Sequence, residues 1–308
     1  MNRTKNEAVE TAVLTYLAGG GAAVAARTAG MSTAELARVS DRYRAAGLST
    51  LDPDPCGWAQ IDVEFSDYAA AEHTFHQELW PALGQQQWWF VRKNPNWRLR
   101  YLQLGAPEVP DDLRDVLNTM VAKGTLRRWW KAIYEPETAA FGGTAGLTAV
   151  NTIHTADSAG LFSSLDARDT EALSRPVASL MLLAHLMRAA GLEWSEQGDV
   201  WARVQVQRPE APLTDQDASE LAGKAHRVLS TDLGVLMGND SRFASLNAWA
   251  AGLHAAGSHL AGLVDDGRLQ TGLRTILART IVFCWNRAGF TIEQQAVWAM
   301  AARRAILG

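Results

Sequence analysis

The chain has 308 residues, 47% of them hydrophobic and 20% charged, with a net charge of −4. That balance excludes a disordered chain, and it excludes bulk electrostatic attraction as a basis for nucleic-acid binding. Cys56 and Cys284 are the two cysteines; their separation is no disulfide framework and offers no zinc spacing, and the usage fits a cytoplasmic protein. No metal is expected, and no cofactor motif is found.

Residues 1–50 read as a small helical extension. A helix is expected over Glu7 to Ala18 and another over Ala22 to Thr28. Ser32 with Glu35 three residues on forms a capping box for a third. That third helix is expected to stop at Gly47, as a C-cap glycine. The pattern resembles a helix-turn-helix, but few basic residues face outwards, so a structural or peptide-docking role is expected rather than DNA binding. Leu51 to Gly57, with two prolines, reads as a linker, leaving 51–308 as the main domain. The apolar run near the N-terminus is broken by Gly19, Gly20 and Gly21, and no span of about 18 apolar residues follows, so no membrane segment is expected.

Trp58 to Phe65 alternates apolar and polar residues, the signature of a half-buried strand. A helix capped by Ser66 or Asp67 runs to Leu83. Trp88 to Arg92 and Trp97 to Gln103 form the next strands around an Asn94-Pro95-Asn96 turn. Asp111 to Lys123 is helical and ends at Gly124, and Thr125 to Tyr134 is a further strand. Beyond Thr144 helices are expected over 145–163, 168–190, 214–236, 241–264, 268–286 and 291–306, with Glu193 to Val206 as an extended excursion. The fold class is α+β: an antiparallel sheet in the first half packed with a largely helical C-terminal half, plus the small N-terminal helical extension.

Three stretches carry candidate chemistry. Arg98 and Arg100 stand two apart on a strand and so share a face, and Arg92 on the neighbouring strand is expected to converge with them. Guanidiniums so grouped suit an anionic ligand, carboxylate above all; the alternative is a salt-bridged, solvated sheet face. Tyr134 and Glu137 lie beside the Gly142-Gly143 turn, where backbone can approach a ligand closely, or else belong to an ordinary charged strand end. His154 and Asp157, three apart, share a helix face either as a functional pair or as a surface pair. Near the C-terminus, Cys284, Asn286 and Arg287 end an apolar helix, where the arginine also answers the helix dipole and the cysteine also suits a core.

Together these stretches resemble the C-terminal, glutamate-eliminating domain of lantibiotic dehydratases, in its free-standing thiopeptide-type form. Trp-Trp-Phe-Val-Arg92 with Trp-Arg98-Leu-Arg100 looks like one block of that family. Tyr134-Glu-Pro-Glu137 with Phe141-Gly-Gly143, His154 and Asp157-Ser158 looks like the next, and Cys284-Trp-Asn286-Arg287 like its terminal helix. The resemblance implies a tailoring lyase that removes glutamate from glutamylated Ser or Thr of a ribosomally made precursor peptide, leaving dehydroalanine or dehydrobutyrine. The implied catalytic residues are Arg92, Arg98, Arg100, Tyr134, Glu137, His154 and Arg287. Trp89, Trp97, Cys284 and Asn286 are the implied substrate-binding set. The implied partners are a precursor peptide with its leader, a glutamyl-tRNA-dependent dehydratase and, as the resemblance to relatives implies, a second copy in a homodimer. The sequence departs from the pattern at Ala140-Phe141, where relatives carry Arg-Tyr, and in a terminal helix without a histidine, with Cys284 near its place. That departure keeps two alternatives open: a thiopeptide pyridine synthase, which joins two dehydroalanines by aza-[4+2] cycloaddition and expels the leader, and a non-catalytic precursor-binding protein.

Overall fold

A computed structural model describes residues 2–51, 57–84, 86–103, 109–166, 173–239 and 241–308. The chain divides into two compact units, Met1–Pro55 and Cys56–Gly308. The first holds helices α1 (Asn2–Leu17), α2 (Ala22–Thr28) and α3 (Thr33–Leu51) around a small core of Ala12, Val13, Ala25, Ala26 and Leu36. The capping box forms as the sequence requires: Glu35 accepts from the Ser32 backbone N–H at 2.9 Å and donates its own N–H to Ser32 Oγ at 3.2 Å. Helix α3 does not stop at Gly47 but continues to Leu51. One interior glycine costs a helix only about 1 kcal/mol, which its neighbours can offset. Most of the expected linker, residues 52–56 with Cys56, lies outside the described residues.

The second unit opens with a four-stranded antiparallel sheet in the order β2-β3-β1-β4, made of β1 (Trp58–Phe65), β2 (Trp88–Lys93), β3 (Asn96–Leu102) and β4 (Leu126–Ala132). Period-2 alternation gives the sheet two different faces. One carries Ile61, Val63, Phe90, Trp97 and Leu99, all buried. Phe75 stacks on it, with Phe162 4.8 Å beyond and Trp97 and Phe90 lying parallel at 4.7 Å. The other carries Gln60 and Asp62 of β1 opposite Arg100 and Arg98 of β3. Polar pairs on that face make it the candidate for a functional site.

Phe75 reaches the core from a helical stretch that starts later than expected, at Ala71, because Asp67 accepts from Ala69 N at 2.9 Å and holds a turn. The stretch is α4 (Ala71–Thr74), a π-helical turn Phe75–Leu79 and α5 (Trp80–Leu83). Pro81 has no N–H to close the regular ladder, and the turn before it widens. Helix α6 (Asp111–Lys123) ends at Gly124, whose φ of 81° suits glycine.

The helical half comprises α7 (Gly143–Asp166), α8 (Arg175–Ala189), α9 (Trp194–Val206), α10 (Asp215–Leu229), α11 (Leu233–Asn239), α12 (Asn247–Asp265), α13 (Leu273–Arg287) and α14 (Ile292–Leu307). The expected extended excursion at Glu193 to Val206 is helix α9 instead. Glu193 and Glu196 cap it reciprocally, and Gln197, Val200, Trp201 and Val204 fall on one buried helical face. Residues 214–236 form two helices, not one, broken where Asp232 accepts from Gly234 N at 2.9 Å. The start expected at residue 168 lies outside the described residues. Among the described residues no helix is long and apolar enough to cross a membrane.

Candidate functional site

Helix α7 runs past the β2 edge of the sheet. Its Phe162 joins the aromatic core, whereas His154 packs against Trp89 on the polar side, ring centroids 4.6 Å apart. The 3₁₀ turn Thr138–Phe141 and the glycines at 142 and 143, with φ of 81° and 90°, feed the chain into α7. The close approach that those glycines permit is to the chain itself: a Cβ at Gly143 would lie 2.7 Å from the Gln270 carboxamide carbon, and Gln270 N donates to Gly142 O at 3.0 Å. They shape the loop rather than admit a ligand.

Trp89, Arg100, Tyr134, Glu137 and His154 line one closed crevice, too tight as it stands to hold a water molecule, with Asn151 among its other walls. Arg100, 8% exposed, lies with its guanidinium carbon 4.3 Å from the Trp89 ring and 4.6 Å from the Tyr134 ring. Its Nε donates to Gln60 Oε1 at 3.0 Å, and no carboxylate of the described residues forms an ion pair with it. Burial brings its pKa down to about 10, against the opposing influence of Tyr134 and Glu137, so it stays charged at neutral pH. Arg98 is on the same face and farther along, 39% exposed, with its Nε 3.8 Å from Asp62.

Behind His154 stands a buried ion pair. Arg287 Nε donates to Asp157 Oδ2 at 2.7 Å, and its Nη2 donates to His154 Nδ1 at 3.0 Å and to Cys284 Sγ at 3.3 Å. Arginine can only donate, so Nδ1 of His154 accepts and the neutral ring carries its hydrogen on Nε2. Burial, then Arg287 and Arg100, push the His154 pKa well below the usual histidine value. His154 is therefore a neutral hydrogen-bond donor toward the crevice, not a base. Burial and the neighbouring Asp157 raise the Cys284 pKa well above normal, which keeps the group a thiol. Cys284 and Asp157 line a separate cavity of about 230 Å³ between α7, α8, α12 and α13, together with Trp249, Leu182 and Leu253. Cys284 thus faces away from Arg100.

The remaining expected residues are elsewhere. The β-hairpin register pairs Arg92 with Trp97, which puts both on the apolar face, opposite to Arg98 and Arg100. Arg92 is ion-paired with Glu72, lies over the Trp97 ring at 4.7 Å and donates from Nε to Arg287 O at 2.7 Å. Arg175 joins the same carboxylate at 2.7 Å and donates to Ala288 O at 2.9 Å, so two arginines cap the end of α13. Hydrogen bonds from Arg175 and Arg92 hold Glu72 ionised below its usual range, although burial opposes them. Trp97 is core. Asn286 is exposed and accepts from Gln295 Nε2 at 2.9 Å, tied to α14 rather than to the crevice. Sequence reasoning missed Gln60, Glu72, Arg175 and Asn151. For Asn151 a signal existed: it lies one helical turn before His154 and shares its face. Among the described residues no group of three His, Cys, Asp or Glu side chains is placed to hold a metal ion.

The sequence profile described as the C-terminal part of lantibiotic biosynthesis dehydratases matches residues 58–306. The chain belongs to the lantibiotic dehydratase C-terminal family. No curated protein sequence matches it. Similar solved structures include the tRNA-dependent lantibiotic dehydratase MibB from Microbispora sp. 107891, with a TM-score of 0.56 and 17% identity over 81% of this chain. The chain spans 28% of the length of MibB. TsrL is similar with a TM-score of 0.51 and 16% identity, over 80% of this chain and 93% of TsrL. At those identities the two likenesses establish the lantibiotic dehydratase C-terminal fold, and membership of the family supports tailoring of ribosomally made peptides.

Proposed function

We propose that the chain is a lyase that eliminates glutamate from glutamylated Ser or Thr in a precursor peptide. The observation that carries this reading is Arg100, a buried guanidinium held between two aromatic rings with no ion-paired carboxylate of its own among the described residues. Burying an unpaired charge is costly, and a carboxylate from outside offsets that cost with a bidentate hydrogen bond. Glutamate leaves such an ester as a carboxylate.

In this reading Glu137, at the crevice and ion-paired with Arg279 of α13 at 3.8 Å, takes the α-hydrogen as a proton. On the same reading the electron pair left behind passes through an enolate-like state on the adjacent carbonyl, which His154 Nε2–H stabilises. The pair then forms the Cα=Cβ bond and expels glutamate toward Arg100. A separate enzyme has to supply the glutamyl ester, in keeping with a tRNA-dependent dehydratase partner.

One observation favours a second reading. Helix α13 presents no acid or base to the crevice, because Cys284 is a buried thiol facing the other way. A pyridine synthase, which depends chiefly on orienting two dehydroalanines, tolerates that loss. Mass spectrometry of the precursor peptide after incubation with the protein separates the readings. The glutamylated form is expected to lose glutamate and end one water lighter than the unmodified peptide. Leader expulsion with macrocycle formation from the fully dehydrated form overturns elimination in favour of cycloaddition, and no change in either form leaves a precursor-binding protein.

A further inference from the structure

Helix α7 brings two polar side chains to the crevice that the elimination chemistry only half uses. Asn151 is 2% exposed and His154 1% exposed, and both line the crevice beside Arg100. Neither Oδ1 nor Nδ2 of Asn151 has a hydrogen-bond partner, and neither does Nε2 of His154. Their neighbours in the lining include Phe141, Leu147 and Phe283, which offer no acceptor or donor from their side chains. The charged and titratable groups there are Arg100, Tyr134 and Glu137: Tyr134 lies against the guanidinium, and Glu137 is ion-paired with Arg279 of α13 at 3.8 Å.

We propose that Asn151 reads the backbone of the substrate peptide, its carboxamide taking the N–H and C=O of the residue to be modified while His154 Nε2–H donates to the second lone pair of that same carbonyl. In an extended chain the N–H and C=O of one residue point to the same side, so one carboxamide can meet both. The chemistry selects this ligand over a bare carboxylate, which has no hydrogen to give to Asn151 Oδ1. The inference rests on the peptide-tailoring reading above and deepens it. Recognition through the main chain holds the residue to be modified next to Arg100 without regard to its flanking side chains. Tyr134, half-buried over the guanidinium, must shift for the peptide to enter.

Asn151→Leu is nearly isosteric and removes both amide groups. The probes are a fluorescently labelled, unmodified precursor core peptide and a copy N-methylated at the serine to be modified, each titrated by anisotropy into the full-length protein. Asn151→Leu is expected to weaken the first probe at least about tenfold and to leave the already weak binding of the N-methylated copy unchanged, as a shared contact requires. Because the substitution removes unpartnered buried polar atoms, the thermal midpoint is expected to hold or to rise by about 2–4 °C. Unchanged affinity for the first probe overturns the inference. So does a further tenfold loss for the N-methylated copy, or an effect confined to competition by free glutamate. Wild-type protein that shows the expected binding pattern but releases no glutamate overturns elimination and leaves amide reading intact. Normal glutamate release by Asn151→Leu with unchanged affinity does the reverse.

Discussion

Arg92, Arg100 and Arg287 are all buried or nearly so, yet each meets a different fate. Arg287 faces Asp157 in the interior, and removing one partner leaves the other as an uncompensated charge. Arg287→Met is expected to destabilise the protein by about 3–5 kcal/mol in urea unfolding, and Arg287→Met with Asp157→Leu to recover most of that loss. Arg100 has no such partner among the described residues, so the balance is reversed. Arg100→Met is expected to cost about 10²–10³-fold in glutamate elimination by mass spectrometry, with no drop in thermal midpoint, and Arg100→Lys not to restore activity because the planar fork is lost. Two-residue spacing made the shared face of Arg98 and Arg100 legible in the sequence. The side taken by Arg92 was not legible, because hairpin register decides it and a slip of one residue turns every side chain to the opposite face. The glutamate that neutralises Arg92 sits 20 residues away, where no local pattern could pair them.

At the scale of elements, α7 is the organising piece. It carries Asn151, His154 and Asp157 on the site side and Phe162 in the core, and it packs closely against α12. Gly160 makes that packing fit: a Cβ there would stand 2.1 Å from Trp249 Cγ. Gly160→Ala is therefore expected to destabilise by about 1–3 kcal/mol, read as a lower urea midpoint with an unchanged slope. The strands and the α6 boundary were readable because alternation and a C-cap glycine are local signals. Helix α9 was misread because its sequence mixes polar residues with a glycine, and its apolar face shows only when Gln197 is counted with Val200, Trp201 and Val204. Gly198, awkward in an isolated helix, lets α14 pack closely here, since a Cβ would meet the side chains of Ile306 and Leu307 at 2.7 Å and push them aside.

Across the whole molecule the buried histidines set a pH limit. The folded-state pKa of His154 lies well below the ordinary 6.5, and that of His185 is also lowered, in both cases chiefly by burial. Above about pH 6.5 both rings are neutral whether the chain is folded or not, and their contribution is constant. As pH falls below that value the unfolded chain takes up protons that the native state refuses, so stability declines by up to about 1.4 kcal/mol per pH unit for each such ring, until the native pKa is reached. Glu72, held ionised by its arginines, adds its own loss only at lower pH, below its ordinary 4.5. Urea unfolding between about pH 5 and 7.5 is expected to show this slope, and His154→Phe to remove its larger part.

Cys284 gives the protein an internal clock. Its thiol is 4% exposed at the wall of the cavity between α7, α8, α12 and α13, so a thiol reagent too large for that cavity must wait for the packing around α13 to loosen before it can react. With Cys56 replaced by serine, the labelling rate is the product of an opening equilibrium and the reagent's intrinsic rate, as in hydrogen exchange. Arg287 touches both the sulfur and His154, so anything that tightens the crevice also slows the clock. A peptide bound in the crevice would register as lengthened thiol half-lives, titratable to saturation, in a sample where no bond has been made or broken.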